Sequence, residues 1–155
     1  MTIMGDTESV ARRVQRATID WLERVFFGGA ELAALSTPAF AVVLVAQTAY
    51  PDAIPIAGLL ALTTGSLGLA LFRGKAIDVG EWPRRGELAT LPLRVGYFSA
   101  VFLLASAGVG VVAVTLGSLW FTLLGGVLQP LGLAAFPRVY RVVHGDPLQH
   151  PAAQV

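Results

Sequence analysis

The chain has no cysteine and no asparagine, and only 14% of its residues are charged. Without cysteine there can be no disulfide framework, thiolate nucleophile, Cys-ligated zinc, iron–sulfur cluster or c-type haem attachment. Without asparagine there is no N-glycosylation acceptor. Histidine is scarce as well: His144 and His150 both follow the last apolar run. No pair of histidines inside the apolar segments can therefore clamp a haem, no HExxH motif exists, and no serine there has a histidine base. A net charge of +1 supplies no field to attract nucleic acid. The expectation is a chain with no catalytic constellation and no cofactor.

The shortage of charge also decides the solvent. Soluble domains are about 25% charged and about 45–50% apolar. Here 155 residues are 14% charged and 55% hydrophobic, with a mean hydropathy of +0.68. Such a composition excludes a disordered chain and points to lipid.

Four nearly uninterrupted apolar runs, 30–50, 54–72, 93–114 and 118–136, are each long enough at about 1.5 Å per residue to span about 30 Å of hydrocarbon. The predicted fold is an all-α integral membrane protein: four transmembrane helices in two hairpins, preceded by an amphipathic interfacial helix. Residues 1–29 form that helix and a hinge, 30–137 the transmembrane domain, and 138–155 a short cytoplasmic tail.

Basic residues set the orientation, because Lys and Arg near helix ends stay on the cytoplasmic side. All eleven fall on one side of the four-span arrangement: Arg12, Arg13, Arg16 and Arg24 before the first span; Arg73, Lys75, Arg84, Arg85 and Arg94 around the middle loop; Arg138 and Arg141 after the fourth. The expected location is the cell membrane with both termini cytoplasmic. Lipid is the first expected partner, and these basic residues are the candidates for contact with anionic headgroups. Tyr50 and Trp120 would mark the outer interface; Trp21, Trp82 and Tyr140 the inner one, with Tyr97 somewhat deeper.

Within the first 29 residues, Val10, Val14, Ala17, Trp21 and Val25 share one helical arc with Leu22 and Phe26 beside it, opposite Arg12, Arg13, Arg16, Asp20, Glu23 and Arg24. This pattern predicts a helix lying in the interface, with Asp6 or Thr7 as its cap and a hinge at Gly28-Gly29.

Helices in lipid associate through small residues. Ala57, Ala61, Thr64, Gly65 and Gly68 recur at helical spacing in the second span, and Ser99, Ser106, Gly110, Ala113 and Gly117 in the third. These faces are expected to meet each other, a second copy or a membrane protein partner. The text GLALFR at 68–73 returns as GLAAFPR at 132–138, which hints at a duplicated hairpin.

Two polar features stand out. Glu31 opens the first span, where an ionisable residue is a candidate proton or cation site, or an interfacial group paired with Arg24 or Arg94. Pro38 and Pro130 each free the carbonyl four residues earlier, on Ala34 and Gly126. Ser36, Thr37 and Gln129 are the local donors. Gln47, Thr63, Thr64 and Thr122 are further candidates to line a small polar cavity there. Asp78 and Glu81 are too sparse to argue for a metal.

The stretch Gly28-Gly29-Ala30-Glu31-Leu32-Ala33 is similar, over those few residues, to the segment around the first-helix glutamate of the small multidrug resistance transporters. That resemblance implies proton- or cation-coupled use of Glu31. The added amphipathic N-terminus, the long basic loop and the complete charge bias all depart from that family's pattern, so membership does not follow. Two functions are therefore expected: an accessory or scaffold subunit packing through its small-residue faces, or a small coupled transporter or channel-like oligomer using Glu31 and the proline-interrupted helices.

Overall fold

The computed structural model describes residues 3–80, 82 and 88–145, with side chains from residue 10 onward. Among them there is no strand. Six α-helices follow in order: α1 Ile3–Leu35, α2 Thr37–Ala46, α3 Ala53–Arg73, α4 Leu91–Leu103, α5 Val109–Thr115 and α6 Leu123–His144. A π-helical segment, Leu104–Gly108, joins α4 to α5, and 3-10 turns at Leu88–Thr90 and Leu119–Thr122 open α4 and α6. Three rods are long and apolar enough to cross a membrane: Ala53–Arg73, Leu88–Thr115 and Leu119–His144. Counting the bent pair α1–α2 as one gives four. The second span and the start of the third agree with the expected apolar runs to within a few residues.

The first span differs from the unbroken run expected over 30–50. It breaks at Ser36, where α1 and α2 meet at 72°. The cause is local. Pro38 has no N–H to give, so the carbonyl of Ala34 loses its helical donor. The Thr37 hydroxyl takes over, donating to Ala34 O at 2.9 Å and to Ala33 O at 3.1 Å.

The expected hinge at Gly28-Gly29 is absent. α1 runs without interruption through both glycines, from Ile3, already ahead of Asp6 and Thr7. The glycines serve close packing instead. A β-carbon on Gly28 would lie 2.9 Å from Ser66 O, and one on Gly29 3.0 Å from Ser66 Oγ. The chain therefore bends several residues later than expected, and the boundary at residue 29 falls inside a helix.

At its other end α6 continues beyond Phe136, through Pro137 to His144. The first part of the expected tail, 138–144, is thus helical. Helical structure also persists through Pro130, which seats against Gly68.

The glycine contacts fix the helix directions. Arg24, Gly28 and Leu32 of α1 lie against Gly74, Leu69 and Gly65, so α1 and α3 are antiparallel. Gly110 meets Ile54 and Gly58 meets Ser106, so the α4–α5 rod is antiparallel to α3. Gly125 meets Ala57 and Gly68 meets Pro130, so α6 runs parallel to α3. This is the alternating order that two hairpins require, and it brings the ends of the helices carrying Arg24, Arg73, Arg94 and Arg141 together. We call this the basic end; Arg84 and Arg85 lie outside the described residues.

The small-residue faces are consumed within the chain, except at Gly117, which lies exposed in the turn after α5 with φ of +66°. Ala57, Ala61, Gly65, Gly68, Ser106, Gly110 and Ala113 are all buried. A β-carbon on Gly110 would approach Ile54 Cγ1 to 2.6 Å, which explains why that face must be bare. Gly125 of α6 is the tightest of these seats: a β-carbon there would stand 2.4 Å from Ala105 O and 2.9 Å from Ala57 O, and the residue lies outside both stripes. Bare seats of this kind let the helix backbones approach closely, the way helices pack where there is no hydrophobic drive between them.

Candidate functional site

Three helix ends meet at the basic end around one carboxylate. Glu31 comes from α1, Arg73 from the last turn of α3 and Arg94 from the first turn of α4. The Nη2 groups of both arginines donate to Glu31 Oε1. Arg94 is 3% exposed, and the side chains of Arg73 and Glu31 are 14% and 9% exposed. A buried guanidinium is tolerated only when paired, because its desolvation costs several kcal/mol. Two such groups converge on one carboxylate here, so Glu31 ties three helices into one unit. Of the two arginines expected beside Glu31, Arg94 is realised and Arg73 stands in the place of Arg24. No local pattern links Arg73 to Glu31, since the two are 42 positions apart and two helices separate in the chain.

Trp82 covers this node. It stacks on Phe72 with centroids 6.3 Å apart, tilts against Phe136 at 5.4 Å and meets Phe98 edge-on at 6.4 Å. The Arg73 guanidinium lies over its ring at 5.2 Å, a cation–π contact that orients the arginine further. Rather than only marking the interface level, Trp82 closes the end of the core formed by Leu32, Leu69, Phe72, Phe98, Leu133 and Phe136. Tyr97 reaches α6, donating to Gly132 O at 2.6 Å.

The polar residues expected to line a cavity do not assemble into one. Thr63, Thr64 and Thr122 each return their hydroxyl to a carbonyl of the preceding turn, Leu59, Leu60 and Leu119. Gln47 caps α2 at the far turn. Pro38 and Pro130 are spent on the α1–α2 bend and on packing against Gly68. Gln129 stands apart from these: fully buried, it lies against Gly65, and neither its carbonyl nor its amide nitrogen has a hydrogen-bond partner. The hydroxyl of fully buried Ser36 is in the same condition. Asp78 accepts the Gly80 N–H at 3.0 Å, a local turn contact, and Glu81 lies outside the described residues.

Of the other basic candidates, Arg12, Arg13, Arg16, Lys75, Arg138 and Arg141 are exposed. Lys75 and Arg24 share an open hollow with Arg73 at the α1–α3 elbow. The tail residues beyond Gly145, His150 among them, are outside the described part.

No curated protein matches the chain, and no solved structure does. Residues 15–143 match the family described as Domain of unknown function (DUF8215), and the chain belongs to that family.

Proposed function

We propose that the protein is a non-catalytic multi-pass component of the cell membrane, an accessory or scaffold subunit with both termini cytoplasmic. The observation that carries this reading is the use made of Glu31. The one carboxylate in the first apolar run is committed to two arginines and holds α1 rigidly to α3 and α4. Because α1 does not bend before Ser36, its first half continues the axis set by packing on α3. It extends about 30 Å beyond Arg24, at about 1.5 Å per residue. The arm and the turn that follows it bear Val10, Val14, Leu22 and Phe26, all exposed. A rigid, apolar-striped arm offers a partner helix a preorganised face. With the small-residue faces closed within the chain, this arm replaces them as the partner surface.

The test is purification in mild detergent, with and without Leu22→Asp and Phe26→Asp. A defined second protein should co-purify with the native chain and be lost from the variant while the bundle stays helical. A solitary species unchanged by the substitutions would refute the proposal.

A second reading, a small proton- or cation-coupled transporter or channel-like oligomer, is favoured by one observation: the buried Gln129 amide and Ser36 hydroxyl lack partners within the bundle. Unsatisfied polar groups at depth are costly and are kept where a ligand or water meets them. In that reading Glu31→Gln and Gln129→Leu both abolish coupled flux in proteoliposomes, whereas in the subunit reading there is no flux to abolish.

A further inference from the structure

We propose that the hollow at the α1–α3 elbow binds a phosphate-bearing anion, held between Arg24 and Lys75 with Arg73 behind them. The inference uses α3 as a membrane span and is independent of any partner for the arm of α1.

The hollow is open, about 290 Å3, and lined by Arg24, Ala70, Arg73, Gly74 and Lys75. Three cations line it, Arg24 from α1, Arg73 from α3 and Lys75 from the turn that closes α3, and no acid does. Among the described residues, neither Arg24 nor Lys75 is paired with a carboxylate. Arg73 is held from behind by Glu31 and over the ring of Trp82, so its position is set before any ligand arrives. Gly74 admits Arg24: a β-carbon there would stand 3.1 Å from Arg24 Nη1.

The backbone supplies a second, separate observation. α3 closes in a Schellman motif, with Ala76 N–H donating to Leu71 O at 3.0 Å and Lys75 N–H to Phe72 O at 3.2 Å. The residue that this motif places in the left-handed region is ordinarily glycine, since a β-carbon is disfavoured there. Here it is Lys75, with φ of +56°, the only non-glycine with positive φ among the described residues. A lysine kept where glycine would be more stable is strain retained at a position that needs its side chain. The last carbonyls of α3 already have their motif partners, so the ammonium group is not required for capping.

The chemical class follows from the charge and the depth. Guanidinium and ammonium groups around one hollow, with Arg73 alone held in place, select an oxyanion; at headgroup depth the oxyanion at hand is a phosphate. α3 has 21 residues, about 31 Å, and ends at the hollow, which sets it at headgroup level in a bilayer. The same phosphate chemistry is offered by an anionic lipid headgroup and by a soluble phosphate ester.

The experiment compares retention of phosphatidylglycerol and phosphatidylcholine of matched acyl chains by the purified full chain, read by native mass spectrometry. Glycerol phosphate is added as a water-borne competitor. Phosphatidylglycerol should be retained about tenfold better, and Arg24→Gln and Lys75→Gln should each reduce this about fivefold. Lys75→Gly is the decisive variant: retention should fall as for Lys75→Gln, while the unfolding temperature rises because the left-handed position is relieved. Displacement by millimolar glycerol phosphate would support the site with a soluble ligand, and resistance to it would support the lipid. Equal retention of the two lipids, or preference unchanged in Lys75→Gly and Arg24→Gln, would overturn the proposal.

Discussion

Arg94 reaches 63 positions back along the chain to place its Nη2 on the Glu31 carboxylate, and at 3% exposure it does so out of water. Removing the acid leaves two guanidiniums facing each other with less to compensate them. Glu31→Gln should therefore lower stability by about 3 kcal/mol, measured by denaturant unfolding in detergent. Arg94→Gln alone should cost a similar amount. In the double variant the two costs should fall well short of adding, because the buried charges leave together. Additive losses would mean that the pair is solvated and Glu31 is available for transport.

Glycine substitutions separate seats from bystanders. Gly125→Ala puts a methyl 2.4 Å from Ala105 O, against backbone that cannot yield cheaply, and should destabilise by about 2 kcal/mol. Gly96→Ala, exposed on α4 with nothing within 4 Å of the added carbon, should leave stability unchanged or raise it by up to about 1 kcal/mol. Thermal unfolding of the two variants side by side checks both signs.

Gln129 buries two polar atoms without partners. Gln129→Leu keeps roughly the same volume and deletes that penalty, so the bundle should gain about 1–2 kcal/mol. A loss of stability instead would show that the amide meets an ordered water or ligand in the working protein.

The absence of native cysteine makes single-cysteine labelling direct. Thr48→Cys and Leu116→Cys lie at the two turns away from the basic end; Ala76→Cys and Val142→Cys lie at the basic end. A membrane-impermeant maleimide applied to intact cells should label the first pair, and the second only after permeabilisation. Labelling of Ala76→Cys in intact cells would invert the proposed orientation.

Much of the architecture is legible in the residues. The alternation of directions follows from counting basic residues, and the packed glycines and alanines of the second and third spans are identifiable by their spacing. The partner of Pro38's freed carbonyl is also readable, since Thr37 is a neighbour in sequence. The misleading signals share a cause. Gly28-Gly29 resembles a hinge locally, but its lack of side chains is needed by Ser66 on another helix. Thr63, Thr64 and Thr122 resemble cavity lining, but each bonds to its own helix. Lys75 carries no local sign that it occupies a glycine conformation.

Partition into an apolar phase adds up residue by residue over short windows, which is why composition and spacing alone are enough for the helical class, the apolar runs and the single basic end. Contacts that pair residues 42 and 63 positions apart have no such local signature. The Arg73–Glu31–Arg94 node, the packing of Gly28-Gly29 against Ser66, the closure by Trp82 and the three-cation hollow exist only because separate helices were brought side by side. There the cost of burying charge selected who pairs with whom.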